Sequence, residues 1–155
     1  MSQAELVAKR VLEESWDGEL PVNPTAIAYD QGITVCYDIS LKESGKFVME
    51  DGKPCIKVNP FEPQVRQRFT IFHELGHYKL GHGESYRDPS KSYSRNNYDA
   101  KEAAANQFAA AMIMPDDVVR DAYHSARYSF SDLAELFDVS EAALSIKLER
   151  LGLPK

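Results

Sequence analysis

The stretch FTIFHELGHYKLGH, residues 69–82, limits what this chain can be more than any other part of it. It holds three of the four histidines in the sequence, and two of them, His73 and His77, flank Glu74 in the spacing H-E-x-x-H. From residue 64 onward Val65, Phe69, Phe72, Leu75, Gly76 and Leu80 recur as one apolar stripe, which predicts a helix that Gly81 and Gly83 end. On such a helix, residues four apart project from one face with Cβ atoms about 5–6 Å apart. Both imidazoles can then reach a single tetrahedral Zn2+ at about 2.0–2.1 Å. Glu74, one position after the first histidine, stands beside such a metal rather than on it. From there it can take a proton from a zinc-activated water and later pass it to a leaving amine. The bland alternative is a coincidental H-E-x-x-H on a core helix, which is rare in a chain this poor in histidine.

Two residues compete for the place of a third ligand. His82 is near in sequence, but the pattern H-E-x-x-H-x-x-G-x-x-H would need glycine at 80 and histidine at 83, where the chain has Leu80 and Gly83. His82 therefore reads as a helix C-terminal residue turned to the exposed carbonyls. Glu102 is the better candidate. It opens an almost wholly apolar stretch, AAANQFAAAMIM (103–114), within a helix predicted over 100–114 between a capping Asp99 and Pro115. Asn106 lies four residues on and shares the face of Glu102. It can accept the second ring N–H of a ligand histidine and so fix its tautomer. The competing reading of Glu102 is an exposed acid in the first helical turn, where the helix dipole favours negative charge.

The remainder reads as one small α+β unit. Val7, Ala8, Val11, Leu12 and Trp16 recur at helical spacing over residues 4–16. Asn23 can cap a short helix over 25–31, with Pro24 at its first position and Gly32 closing it. Residues 33–39 read as a strand, and 46–50 and 55–59 as a hairpin about Asp51-Gly52. The expected outcome is a three-stranded antiparallel sheet packed on the H-E-x-x-H helix. A polar loop over 84–99, with Tyr86, Tyr93 and Tyr98 interleaved, is long enough to suggest a functional role. Cys36 and Cys55 form no C-x-x-C pair and read as small buried apolar groups, with a cross-strand disulfide as the second reading. The longest apolar run, 108–114, is far short of a membrane span, and the first residues carry no signal-peptide apolar region. The expectation is a cytoplasmic protein with no membrane partner.

Helices are also predicted over 116–126, 131–137 and 141–151. The last two, in SDLAELFDVSEAALSIKLERLGL (131–153), have the pattern of a helix-turn-helix. Reading DNA directly requires basic phosphate contacts. Here Lys147, Arg150 and Lys155 are opposed by Asp132, Glu135, Asp138, Glu141 and Glu149, and the whole chain carries a net charge of −6. Direct DNA binding is therefore not expected. The pair is expected to pack on the rest of the chain or on a protein partner.

Taken together, LPVNPTAIAYDQGITV (20–35), IKVNP (56–60), RQRFTIFHELGHYKLGH (66–82) and EAAANQFAAAMIMP (102–115) resemble the ImmA/IrrE family of zinc metallopeptidases. The resemblance implies a zincin-like domain with a gluzincin-like site: His73, His77 and Glu102 as zinc ligands and Glu74 as general base. Many relatives carry a second Glu two residues before the Asn. Here that position is Ala104, which leaves Glu102 as the acid on that face. The resemblance also implies cleavage of a partner transcriptional repressor of the helix-turn-helix type, in some members within toxin–antitoxin-like modules. The expected organisation is a metallopeptidase domain over 1–126 and a helical pair over 127–155 packed as part of the same unit. The expected function is a zinc-dependent endopeptidase acting on such a regulator. The second reading is a zinc-stabilised toxin–antitoxin or regulator-binding module that does not cleave.

Overall fold

The computed structural model describes residues 1–87 and 99–155. Helix α1 (Gln3–Ser15) begins at a reciprocal cap: Ser2 Oγ accepts from the Glu5 N–H at 3.2 Å, and Glu5 Oε1 accepts from the Ser2 N–H at 2.8 Å. Its Ala4, Val7, Ala8 and Val11 face inward. Helix α2 (Pro24–Asp30) starts as its sequence predicts, with the Asn23 side chain accepting from the Ala26 N–H. Strand β1 (Thr34–Tyr37) follows, and then the hairpin β2 (Gly45–Glu50) and β3 (Lys53–Val58). Asp51 and Gly52 both take positive φ, 53° and 76°, as the two-residue turn with matching twist requires. The order continues with α3 (Gln64–Lys79), β4 (Ser85–Arg87), α4 (Ala100–Ile113), α5 (Asp116–His124), α6 (Phe130–Phe137) and α7 (Glu141–Leu151).

The sheet is mixed, and the expectation of a three-stranded antiparallel sheet is corrected. The strand order is β1-β3-β2-β4, with β2 antiparallel to β3 and β4 but β1 parallel to β3. The hairpin signal dictates only how β2 meets β3. The outer edge of β2 takes up β4, which leaves β1 the free edge of β3. A short connection returns β1 to the start of β2, so β1 runs opposite to β2 and therefore parallel to β3.

Helix α3 lies across β2 and β3. Phe47, Ile56 and Val58 from the sheet share one core with Ile71, Phe72 and Leu75 of α3 and with Phe108, Ala109 and Met112 of α4. The start of β2 comes so close to α3 that only glycine fits: a Cβ at Gly45 would fall 2.5 Å from Thr70 Cγ2 and 2.9 Å from the Lys57 carbonyl oxygen. Cys55 is buried as expected, but Cys36 is exposed, because edge strand β1 is open to solvent along most of its length. Their sulfurs stand 3.9 Å apart as free thiols. Tyr93 and Tyr98 of the predicted loop lie outside the described residues. Among the described residues no helix is long and apolar enough to cross a membrane.

The C-terminal helical pair turns through Asp138, which adopts the left-handed conformation, and Ser140 caps α7. Charged groups tie the pair to the rest. Arg68 of α3 donates to the carbonyl oxygens of Val22 (2.8 Å) and Asp138 (3.3 Å) and pairs with the Asp138 carboxylate at 3.1 Å. Lys147 of α7 is 3% exposed and bonds Asp116 of α5 at 2.8 Å, where Arg150 also binds at 2.6 Å.

Burial alone would raise the Asp116 carboxyl, but the hydrogen bonds and charges of Lys147 and Arg150 outweigh it and hold that group below its usual range. A depressed folded pKa contributes stability above the unfolded value of about 3.9, and this is lost as pH falls through the folded pKa. Asp116→Asn leaves Lys147 buried without its counter-charge and should cost about 3 kcal/mol in urea unfolding at pH 7. The deficit should shrink as the pH is lowered below about 4, because the wild type then loses the same charge.

Candidate metal centre

Two helices build the site, and one missing side chain lets them. At Gly76 a Cβ would stand 2.9 Å from Phe108 Cδ1 and 3.1 Å from Phe108 Cβ, so α3 and α4 cross at a separation that any larger residue would prevent. The crossing brings the first turn of α4 onto the histidine face of α3. Asp99 caps α4 by accepting from the Glu102 N–H at 2.8 Å, which seats Glu102 in that first turn.

His73 and His77 are buried, and the side chain of Glu102 is 27% exposed. Their Nε2 atoms lie 3.2 Å apart. Glu102 spans them, with Oε2 3.1 Å from His73 Nε2 and Oε1 2.9 Å from His77 Nε2. On its far side, His73 Nδ1 lies 2.8 Å from Asn106 Oδ1. Glu74, fully buried, leaves the helix about 100° round from His73. It runs past Gly45, where its Cγ would be 3.8 Å from an added Cβ. Burial pushes the Glu102 carboxyl up, but the hydrogen bonds and charges of His73 and His77 more than offset this and hold it well below the usual carboxylate range.

The donor set fits a divalent cation. An amide oxygen only accepts, so His73 Nδ1 carries a proton, and as a neutral ring His73 presents its Nε2 lone pair to Glu102. A carboxylate also only accepts. With neutral rings, lone pairs face one another across about 3 Å, and a proton or a metal cation has to stand between them. Zinc at about 2.0–2.1 Å in tetrahedral geometry sets its ligand atoms about 3.3–3.4 Å apart. The two ring nitrogens, 3.2 Å apart, stand near that separation, and each faces its own oxygen of Glu102 at 2.9–3.1 Å. Among the described residues, His73, His77 and Glu102 form the cluster able to hold a metal.

The sequence from residue 28 to residue 149 matches the IrrE N-terminal-like domain of peptidase family M78. The chain belongs to this family. The ImmA/IrrE resemblance drawn from the motifs thus holds at the family level. The solved structure of a Mycobacterium tuberculosis transcriptional regulator is also similar, with a TM-score of 0.64 and 21% sequence identity. The match covers 99% of this chain and 47% of that one, so this M78 member spans about half the regulator's length. At that identity the likeness shows the fold alone. No curated protein matches the chain.

In this M78 member the structure brings His73, His77, Glu102 and Asn106 together and leaves Glu74 buried on the same helix. His82 stands differently from its expected place. Its backbone N–H, not its ring, bonds the His77 carbonyl at 2.8 Å, and its ring Nδ1 lies 2.9 Å from His77 Nδ1. Burial, and then the charges of His77 and Lys101, depress its pKa. A glycine one residue past the helix end, followed by histidine, is the signal for this contact, as shown below. His124 and Arg127 are exposed around the end of α5.

Gly76→Ala should test the crossing. The added methyl gains about 1 kcal/mol of helix propensity but overpacks Phe108 at a cost of about 1–3 kcal/mol. Ligand distances tolerate shifts of only about 0.2 Å. Zinc affinity should therefore fall at least about tenfold while the circular dichroism spectrum stays helical, as read by titration against a chromophoric chelator.

Proposed function

We propose that this M78 member is a zinc-dependent endopeptidase that cleaves a partner transcriptional repressor of the helix-turn-helix type. The observation that carries the reading is the convergence of two imidazole nitrogens and one carboxylate within 3.2 Å on a helix that also bears Glu74. His73, His77 and Glu102 would hold the ion, with Asn106 fixing the ring of His73. Bound zinc supplies a lowered water pKa and a Lewis acid for the scissile carbonyl. Glu74 takes the proton of the attacking water on a carboxylate oxygen and delivers it to the leaving nitrogen. Its burial against Gly45 keeps bulk water from competing for that proton and supports a general-base role over a purely structural one.

A zincin-like arrangement is supported by the sheet lying directly on the H-E-x-x-H helix and by the family. We read residues 1–126 as the metallopeptidase domain, with 127–155 packed on it as one unit through Arg68 and Lys147. Lys147 spends its charge on Asp116, and acidic residues outnumber basic ones over 131–155. The helical pair therefore suits a protein surface better than a phosphate backbone. Substrate and protease would meet in the cytoplasm.

The test is incubation of the zinc-loaded protein with the regulator encoded beside it, read by intact-protein mass spectrometry. A single defined cut is expected. Glu74→Gln should bind zinc as the wild type does and cut about 10²–10⁴-fold more slowly. Glu102→Ala should lose both zinc and cleavage. Equal cutting by Glu74→Gln would refute the mechanism. Tight, chelator-sensitive binding of the regulator with no cut would favour the non-cleaving module instead.

A further inference from the structure

Helix α3 ends in a defined hydrogen-bond pattern. The Gly81 N–H bonds the Tyr78 carbonyl at 3.1 Å and the His82 N–H bonds the His77 carbonyl at 2.8 Å, with Gly81 at φ +76°. This is the glycine-terminated Schellman turn. Its geometry folds the residue after the glycine back over the residue three positions before the helix cap, where two apolar side chains usually meet. Here the two residues are His82 and His77, whose rings lie 5.1 Å apart, centroid to centroid, at 63°.

We propose that His82 is the positioning residue for His77: its Nδ1 accepts the His77 Nδ1–H and fixes the ring so that Nε2 points at the metal position. The chemistry follows from the counts of protons. His77 presents Nε2 to Glu102 at 2.9 Å and to His73 at 3.2 Å, so as a ligand it keeps its proton on Nδ1. The atom facing that proton at 2.9 Å is His82 Nδ1, which must offer a lone pair and therefore carries its own hydrogen on Nε2. Asn106 Oδ1 does the same for His73 at 2.8 Å. The two ligand rings are thus held by two acceptors of different origin, one from α4 and one from the turn that stops α3. No carboxylate takes part in either contact. The inference rests on the metal-site reading given above but not on peptide cleavage.

The test uses zinc alone and compares two variants of nearly equal shape. His82→Asn keeps an acceptor oxygen near the position of the imidazole Nδ1, whereas His82→Leu removes it. Competition against a chromophoric chelator should show zinc affinity reduced about 10–100-fold in His82→Leu and largely restored in His82→Asn. The thermal midpoints of the zinc-free variants should match the wild type, because the residue is half exposed beyond the helix end. In zinc-loaded wild type, long-range 1H–15N spectra of 15N-labelled histidine should show His82 protonated on Nε2 and His77 on Nδ1. Equal affinity of His82→Leu and wild type overturns the proposal, as does an Asn variant as weak as the Leu variant, or a His82 proton on Nδ1. If wild type holds zinc while these results fail, the endopeptidase reading stands and only the role of His82 falls. If wild type holds no zinc, both fall.

Discussion

Two imidazole nitrogens and the two oxygens of one carboxylate converge at the crossing of α3 and α4, each nitrogen within 3.2 Å of the other and of one oxygen, and the local fold is arranged to keep them there. Left to themselves, such atoms repel. They can be held together only if the backbone that carries them is rigid and if a cation or a proton neutralises them. Rigidity comes from packing. The Tyr78 ring of α3 lies 4.9 Å from that of Phe47 in the sheet and Phe108 of α4 packs on α3 at Gly76, while Gly76 and Gly45 let the three layers approach closely. The glycines are not breakers here; each marks a place where a Cβ would hold two elements apart.

Helix ends reinforce the arrangement. His77 sits in the last turn of α3, where exposed carbonyls favour positive charge, and Glu102 sits in the first turn of α4, where exposed N–H groups favour negative charge. The two readings of Glu102 weighed from sequence, a dipole-favoured first-turn acid and a metal-facing carboxylate, therefore describe one residue. Asp99 saturates a free N–H of that turn at Glu102 itself, so the carboxylate need not fold back to cap its own helix and stays directed at the rings.

Most of the site was legible because helical spacing is local. Four-residue separation puts His73 with His77 and Glu102 with Asn106 without any knowledge of the fold, and the apolar run around Asn106 foretold a helix buried against another. Boundaries of α2, α3 and α4 were likewise readable from Asn23, Gly32, Gly81, Asp99 and Pro115. What was not legible required tertiary information. The parallel placement of β1 depends on β4 occupying the edge of β2, and no pattern within residues 33–39 records that competition. The exposure of Cys36 follows from the same placement. The His82 contact is intermediate: it is local, set by a turn six residues long, in which the residue does meet a helix-end carbonyl but through its backbone N–H, leaving the ring for His77.

The choice of outer partners has an electrostatic consequence. A carboxylate behind each histidine would orient the rings equally well but would add negative charge a few ångströms from the cation. Asn106 and His82 orient them with neutral acceptors. Of the groups that would hold the ion directly, Glu102 alone brings a charge, and the buried Glu74 carboxylate stands on the helix of the two histidines as a second one. In a buried site, where charges are poorly screened, each further carboxylate placed behind a ring would weaken the pull of a bound ion on a polar bond at the open position. Neutral acceptors behind both rings would thus leave an ion held there more polarising than carboxylates in the same places would.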